Sequence, residues 1–443
     1  MLHLKLIMLE NIKAKASSIT RIAKQKAKSA GSSDQYVVGL DIGTENVKAL
    51  IARVAGDEIE IVGVGRAHQG LSDMQAGAIA DIAGVVANCD AALAAAEAQA
   101  GVSAKLAVIG IAGELVKGTT TTVRCTRKNA DKPLDASEVE KIIELVQNRA
   151  QAIAKQQMSV ELGGKAVDIR LVNSALVSIE IDGYIVTNPI GFQGKEVLVQ
   201  LYTAFAPLIH IGALERTAQQ LDLDLIAVAA EPFAVARAMI GNDTNATMNA
   251  ILMDIGGGTT DIAVINEGGV QGTKMFGIGG RAYTRAIERQ TDTDFETAEQ
   301  LKLNYEDADV PKSKAQAVQA AISKTLDVWT SGVELALADF PKLDHLPHRI
   351  LLCGGGSSLD ALMVRMEETD WFKELPFTRK PQVQYIDPTQ VVGVTDLTGS
   401  VTDHTYITAM GLLRVGVDTL AQDEPVTTTT ASIKQRFNRM LRT

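Results

Sequence analysis

Two short segments of the chain combine the residue types that bind phosphate and a hydrated cation. The first segment contains Asp41, Gly43 and Thr44. The second segment has the same order of residue types with more glycines: Asp254, Gly256, Gly257, Gly258 and Thr259. Glycine N–H groups can approach an anion closely, threonine hydroxyls add donors, and an aspartate at a strand end can hold hydrated Mg²⁺. One copy is typical of an ordinary tight turn, but two copies far apart predict two related halves that each contribute a phosphate loop.

Each segment lies between two apolar runs, which is the pattern of a β-hairpin with a polar, glycine-bearing tip. Residues 47–54 follow the first tip, and residues 262–265 follow the second. Two such hairpins facing each other would clamp a nucleotide triphosphate from both sides. We therefore expect a pair of lobes with the ligand between them.

Length and composition support this organisation. The chain has 443 residues, of which 46% are hydrophobic and 22% are charged, so it suits two globular lobes better than one core. Its formal net charge of −10 argues against general nucleic-acid binding, which needs a basic surface. No apolar run reaches the roughly 18 residues of a spanning helix, so neither export nor a transmembrane span is expected.

The three cysteines, Cys89, Cys125 and Cys353, are widely separated in the sequence. Their spacing indicates neither a metal site nor a disulfide framework. We expect them to serve only in packing, and a reducing cytoplasm suits them best.

Changes in composition and in the pattern of apolar residues divide the chain into seven regions. They are a basic N-terminal extension (1–34), the first part of a first lobe (35–112), an inserted α+β domain (113–207), the second part of the first lobe (208–245), a second lobe (246–415), a flexible linker (416–431) and an amphipathic helix (432–443). Strands followed by helices recur in both lobes, which predicts an α/β fold with mixed sheets covered by helices.

The final region carries the second informative pattern. Ile433, Phe437, Met440 and Leu441 fall on one helical stripe. The basic residues around that stripe are Lys434, Arg436, Arg439 and Arg442. A basic amphipathic helix on a tether favours an anionic membrane surface, although docking on its own domain or a frayed tail are alternatives. Each basic residue contributes about 1 kcal/mol there, so stable attachment needs several copies or help from the N-terminal basic helix.

In this order, the two Asp-Ile-Gly hairpins, Glu231-Pro232 and the Cys-Gly-Gly-Gly-Ser segment at 353–357 resemble the nucleotide signature of the actin, hexokinase and heat-shock chaperone ATPase superfamily. Within it, the chain resembles the FtsA family of bacterial cell-division proteins. That resemblance rests on the glycine pattern over 63–79, the insertion in the first lobe, the Ala-Glu-Gln-Leu-Lys segment at 298–302 and the basic tail. It implies a two-lobed, actin-like (ribonuclease-H-like) ATPase fold with a small α+β domain inserted in the first lobe.

The resemblance also implies roles for individual residues. Both glycine turns would bind the phosphates of ATP, with Asp41 and Asp254 near the water shell of Mg²⁺. The other implied contacts are Gly354, Gly355, Gly356 and Ser357 to the adenosine, Glu299 and Lys302 to the ribose or base, and Gly279 and Gly280 beside the nucleotide. Glu231 matches the position that orients the attacking water in hydrolytic relatives, where a carboxylate can act as a base.

Two features depart from the family pattern. Glu45 follows Thr44 inside the first turn, where its carboxylate would repel phosphate unless it points away or meets the cation. The second turn contains no lysine, and the nearest lysine to the first is Lys48. We therefore expect backbone N–H groups and Mg²⁺ to neutralise most of the triphosphate charge.

The resemblance implies a cytoskeletal adaptor at the division site. It would bind ATP, hydrolyse it slowly at most, polymerise on the cytoplasmic face of the membrane, and recruit the tubulin-like FtsZ, with other division proteins as possible partners. One alternative is a PilM-like ATP-binding pilus-assembly protein, which has no need of the 432–443 helix. Another is a sugar kinase or chaperone-type ATPase, which would need an acceptor site with a substrate-binding aspartate base or a large peptide-binding domain.

Overall fold

The computed structural model describes residues 35–56, 58–113, 116–241, 247–305, 310–340 and 343–423. The predicted N-terminal extension and amphipathic helix lie outside these residues, as does the linker from 424 to 431. The predicted membrane contacts outside them are Ile433, Lys434, Arg436, Phe437, Arg439, Met440, Leu441 and Arg442. Among the described helices, none is both long and apolar enough to cross a membrane.

The first lobe begins with a three-stranded antiparallel meander, a short ribbon, a helix and a further strand. These are β1 (Gln35–Ile42), β2 (Asn46–Ala55), β3 (Glu58–His68), β4 (Met74–Gln75), β5 (Ala78–Ile79), α1 (Ile82–Ala100) and β6 (Leu106–Ile111). Local chemistry sets the ends of α1. The Asp81 side chain accepts the Ala83 N–H at the start, and Gly101 adopts a left-handed conformation at the end.

The inserted domain follows β6 and has its own small core. Its elements are β7 (Lys117–Thr126), α2 (Ala136–Glu161), β8 (Ile169–Ile181), β9 (Tyr184–Ile185) and β10 (Glu196–Pro207). Val139, Ile142, Ile143 and Val146 form the buried stripe of α2, at the i, i+3, i+4 and i+7 spacing of one helical face. They pack against apolar residues of β8 and β10.

The chain then returns to the first lobe and continues into the second. The returning elements are α3 (Leu208–Gln220), β11 (Asp224–Ala230) and α4 (Glu231–Ile240). Those of the second lobe are β12 (Ala250–Ile255), β13 (Thr260–Asn266), β14 (Gly269–Phe276), α5 (Gly280–Thr291), α6 (Phe295–Asn304), α7 (Lys312–Ala338), β15 (Arg349–Cys353), α8 (Asp360–Glu368) and β16 (Gln382–Tyr385).

The last described elements belong to the first lobe, so the predicted second-lobe range of 246–415 is too long. They are β17 (Val394–Asp396) and α9 (Ile407–Asp423). β17 pairs in parallel with β3, and α9 packs against β1, β6 and α4. The linker predicted from 416 also starts too early. Asp418 lies inside α9, where it pairs with Arg414 and with Arg237 of α4.

Two large sheets organise the molecule. The first-lobe sheet has the order β11-β6-β1-β2-β3-β17. The other has nine strands in the order β16-β15-β12-β13-β14-β7-β10-β8-β9, so the sheet of the inserted domain continues that of the second lobe. The join is a ladder of two residue pairs, Gly272 with Thr119 and Thr273 with Gly118.

Helices α4 and α9 pack on each other and contribute to a core shared by both lobes. This core contains Leu40 of β1 and Leu252 of β12, whereas the neighbouring Met253 faces the separate core beneath α5, α7 and α8. The two helices approach closely at Gly411, where a Cβ would lie 2.2 Å from the Ala234 carbonyl oxygen.

Candidate functional site

The two glycine-bearing segments form hairpins with the same local geometry. In the first, the Gly43 N–H donates to the Asn46 carbonyl oxygen at 3.1 Å. In the second, the Gly256 N–H donates to the Thr259 carbonyl oxygen at 2.9 Å. Each turn therefore closes on the same four-residue hydrogen bond, and each joins two buried strands.

The register of each hairpin places a charged residue opposite the aspartate. Asp41 of β1 faces Lys48 of β2, and the Lys48 Nζ lies 3.0 Å from an Asp41 carboxylate oxygen. Asp254 of β12 faces Asp261 of β13. The two hairpins thus carry a basic residue and an acidic residue at equivalent positions.

The tips of the two turns touch across the boundary between the lobes. A Cβ on Gly257 would lie 2.9 Å from the Glu45 Cβ, and one on Gly258 would lie 2.7 Å from the Thr44 hydroxyl oxygen. A larger residue at either glycine would push the turns apart. The glycines of the second turn therefore permit the close approach of the two predicted phosphate loops.

The start of α5 covers the back of the second turn. The N–H groups of Gly280 and Arg281 donate to the carbonyl oxygens of Gly256 and Gly257, at 2.9 and 2.8 Å. A Cβ on Gly279 would lie 2.5 Å from the Gly256 oxygen, so this packing requires glycine. Gly279 and Gly280 thus lie against the second turn.

The late glycine segment reaches the same place because β15 runs parallel to β12. Gly354 follows Cys353, the partner of Asp254, and adopts a φ of +82°. A Cβ on Gly356 would lie 2.6 Å from the Gly256 oxygen, whereas one on Gly355 would meet no atom within 4 Å. Ser357 is fully buried, and its hydroxyl donates to the Gly354 carbonyl oxygen, so the side chain serves its own turn.

Glu299 and Lys302 lie next to these turns on α6. The Lys302 ammonium donates to Glu299 at 2.7 Å, to the Thr284 hydroxyl at 2.9 Å and to the Gly280 carbonyl oxygen at 3.4 Å. The two side chains are therefore paired with each other beside the second turn.

A group of buried acidic residues lies beneath the turns. Asp41 and Glu231 come from the first lobe, and Asp254 and Asp261 come from the second. Burial, and then the charge of Asp41, raise the pKa of Asp254, although a hydrogen bond from Thr408 of α9 opposes this. Burial and Asp254 raise the pKa of Asp261 to about 8.

Glu231 and Lys48 complete the electrostatics of this group. The pKa of Glu231 is raised well above its usual value, first by burial and then by Asp41, Asp261 and Asp254. Burial alone would lower the pKa of Lys48, but its contact with Asp41 and the charge of Asp254 raise it. Four acidic side chains around one lysine leave the group short of positive charge.

This arrangement is not a direct metal-binding cage. Within the described part of the chain, no three His, Cys, Asp or Glu side chains lie close enough together to ligate a metal ion. Mg²⁺ commonly keeps several waters and uses one or two carboxylates together with phosphate oxygens. The separated Asp41 and Asp254 suit that mode of binding.

Glu231 occupies the first turn of α4, with Pro232 beside it. A Cβ on Gly110 of β6 would lie 3.0 Å from a Glu231 carboxyl oxygen. A cavity of about 10 Å³, room for about one water, is lined by Ile42, Glu231 and His210. The carboxyl group therefore has space for one small molecule beside it.

Known sequences and structures resemble this chain over most of its length. The family described as "Cell division protein FtsA" matches residues 251–411. The protein of that name from Pseudomonas aeruginosa is 26% identical over 407 residues, covering 87% of this chain and 90% of the relative. Its counterpart from Neisseria meningitidis serogroup B is 26% identical over 401 residues, covering 86% and 89%.

The chain is a relative of the FtsA cell-division proteins. The family resemblance predicted from the motifs is thereby confirmed. A solved structure entitled "PilM-PilN type IV pilus biogenesis complex" superposes with a TM-score of 0.62 over 88% of this chain and 99% of that chain, at 16% identity. The predicted two-lobed, actin-like α/β fold is confirmed for this FtsA relative as well.

Several site residues of this FtsA relative were not predicted from sequence. Lys48 and Asp261 follow from the shared hairpin register, so aligning the two copies of the motif would have found them. Arg281 and Thr408 have no such local signal, because the fold alone brings them to Glu45 and Asp254.

Proposed function

We propose that this FtsA relative binds ATP with Mg²⁺ between its lobes, polymerises at the cytoplasmic face of the membrane and tethers FtsZ to the division site. The observation that carries the proposal is the pair of matching glycine turns, in contact across the lobes above a buried acidic group. Backbone N–H groups at such turns bind phosphate oxygens, and the acidic group offers carboxyl oxygens to a hydrated cation.

The chemistry of the donor set fits a nucleotide that carries its own divalent cation. Polyphosphate without a cation would add negative charge beside carboxyl groups whose pKa is already raised by burial and by one another. Mg²⁺ bound through water to Asp41 and Asp254 would offset that charge. Gly354, Gly355 and Gly356 would accept the adenosine end, next to Glu299 and Lys302.

Glu231 supports slow hydrolysis rather than efficient turnover. A general base must be ionised to accept a proton, and burial among three aspartates favours the neutral form of Glu231. The cation would have to arrive before this carboxyl group is an effective base. The nucleotide therefore serves chiefly as a structural switch. It binds one arrangement of the lobes more tightly than the other and so shifts the population toward that arrangement.

Membrane attachment and FtsZ recruitment rest on the family relationship and on the sequence of the tail. The 432–443 stripe gives each copy modest affinity, so a polymer that presents many copies would bind far more tightly. The PilM-like alternative shares the fold, but the curated relatives reported above are cell-division proteins. Neither sugar kinase nor chaperone activity has a comparable supporting observation.

Co-sedimentation with anionic liposomes tests the proposal. The full chain should pellet with liposomes and Mg·ATP and should carry FtsZ into the pellet, whereas Phe437→Asp should leave both in the supernatant. Gln435→Asp adds the same charge on the opposite helical face and should behave like the wild type. Equal pelleting of Phe437→Asp and the wild type would rule out the tail as anchor, and FtsZ left in the supernatant by a pelleting wild type would rule out tethering.

A further inference from the structure

Two residues beside the glycine turns are unfavourable when each is considered alone. Glu45 places a carboxylate within a turn predicted to bind anions. Arg281 places a cation in the first turn of α5, where the helix dipole favours negative charge. Local choices that conflict with their surroundings concentrate at functional sites.

The fold brings these two residues together across the lobe boundary. The Arg281 Nε donates to a Glu45 carboxylate oxygen at 2.7 Å, and Nη1 donates to the Leu71 carbonyl oxygen at 3.4 Å. The side chains are 14% and 25% exposed, so solvent screens the pair less than it screens a surface ion pair. Glu45 and Leu71 belong to the first lobe, whereas Arg281 belongs to the second.

One donor of Arg281 is left without a partner. Its Nη2 is buried and has no hydrogen-bond acceptor among the described residues. A buried charged donor is costly unless an acceptor reaches it, and phosphate oxygens, like carboxylate oxygens, match the geometry of a guanidinium. The Arg281 backbone N–H also donates to Gly257, so this side chain begins at the second phosphate turn.

We propose that Glu45 and Arg281 form an interlobe clasp that holds the two glycine turns together and presents the Arg281 guanidinium to the terminal phosphate of the bound nucleotide. The proposal rests on the proposed ATP binding. Glu45 orients the guanidinium and balances part of its charge, while Nη2 supplies the contact to the ligand. Closing the lobes and binding a terminal phosphate then reinforce each other, so the site favours ATP over ADP and AMP.

Calorimetric titration of the full chain with Mg·ATP, Mg·ADP and Mg·AMP tests the clasp. Arg281→Gln should lose about tenfold to a hundredfold in ATP affinity, the range of a lost hydrogen bond to a charged group, and should lose less for ADP. Arg281→Lys keeps the positive charge but not the planar, two-pronged donor geometry of the guanidinium, so its loss of ATP affinity should be intermediate. Glu45→Gln should also weaken ATP binding, and the double variant should be no worse than Arg281→Gln because the two residues act as one unit.

Arg285→Gln is the matched control. Arg285 lies one turn further along α5 and pairs with Glu288 of the same helix, so its loss removes an ion pair without touching the lobe boundary. This variant should keep wild-type affinity. Melting curves of every variant separate loss of binding from loss of folding.

An interlobe distance provides a second readout. Labels at Asp90 of α1 and Leu335 of α7, both exposed, report the separation of the lobes in a Cys125→Ser background. Glu45→Gln and Arg281→Gln should each broaden the distribution of label-to-label distances, with and without nucleotide. The exchanged pair, Glu45→Arg with Arg281→Glu, should restore the wild-type distance distribution but not the affinity for ATP.

The outcomes separate the two proposals. A wild-type chain that binds no nucleotide contradicts the proposed function. If the wild-type chain binds Mg·ATP, and Arg281→Gln and Glu45→Gln both match its affinity and its interlobe distance, the clasp alone is overturned. Additive losses in the double variant would likewise overturn it.

Discussion

At the scale of single residues, the site is defined by what faces each aspartate. Lys48 neutralises Asp41 in the first hairpin, whereas Asp261 adds a second acid opposite Asp254 in the other. The motif occurs twice, but only the first copy has a lysine opposite its aspartate. The second-lobe side therefore pairs two carboxyl groups whose pKa values are raised, and a bound cation would favour their ionised forms.

Gly257→Val tests the contact between the turns. Its Cβ would lie 2.9 Å from the Glu45 Cβ and 3.2 Å from the Glu45 nitrogen, so the turns must separate. Overpacking costs about 1–3 kcal/mol, so if separating the turns opposes binding by that amount, calorimetry should show a loss of about fivefold to 150-fold in Mg·ATP affinity. Unchanged affinity would contradict the two-sided phosphate clamp.

The buried thiols give an independent check on the packing of the core. Burial raises the pKa of Cys89 to about 12, and it also raises the pKa of Cys353. Since the thiolate is the reactive form, iodoacetamide at pH 8 should leave both unmodified in the native chain and label both after denaturation. Rapid native labelling of Cys89 would contradict the buried environment of α1.

At the scale of elements, the crossing of α4 and α9 holds the site together. Glu231 begins α4, and α9 supplies the Thr408 hydroxyl that donates to Asp254. Gly411 allows the two helices to approach, because a Cβ there would lie 2.2 Å from the backbone oxygen of Ala234. A rigid crossing keeps these two acidic residues at a fixed separation.

Gly411→Val should therefore destabilise the chain by about 1–3 kcal/mol or more and lower Tm by several degrees. Gly212→Val makes the same change in α3, where a Cβ would meet no heavy atom within 4 Å. Thermal unfolding followed by circular dichroism compares the two variants. Equal melting temperatures would contradict the close crossing.

Sequence alone predicts the local parts of this structure well. Hairpins with glycine tips and helices with an apolar stripe are short-range patterns, so the two turns and the position of Glu231 at a helix start were accessible. The placement of segments that are far apart in the sequence could not be predicted in this way. The sequence predicts a linker from Gly416, yet α9 continues to Asp423, and Gly416 lies within it where a Cβ would be 2.6 Å from the Val108 side chain of β6. Nothing near 394–415 in the sequence indicates that this segment pairs with β3.

At the scale of the whole molecule, the acidic group belongs to neither lobe alone. Asp41 and Glu231 meet Asp254 and Asp261 only when the chain is assembled. An acid whose pKa is raised by folding stabilises the folded chain below its unfolded pKa, and that contribution is lost as the pH rises through the folded pKa. For Asp261 this range extends from about 4 to about 8.

Without Mg²⁺ or nucleotide, the chain should therefore melt at a lower temperature at pH 8.5 than at pH 5.5. Asp261→Asn removes one of the acids and should reduce this difference. Asp90→Asn, at an exposed position of α1, should leave it unchanged. Scanning calorimetry in EDTA measures all three, and a Tm that rises with pH would contradict the electrostatic account.

The two-pair ladder between β14 and β7 sets the order in which the largest sheet is completed. Its partners, Thr119 and Gly272, are far apart in the sequence, and ribosomes add about 5–20 residues per second. The inserted domain is complete only when β10 ends at Pro207, so β7 then remains its open edge for on the order of three to thirteen seconds before Gly272 of β14 is added. The inserted domain therefore has an unpaired strand edge during translation until β14 is made.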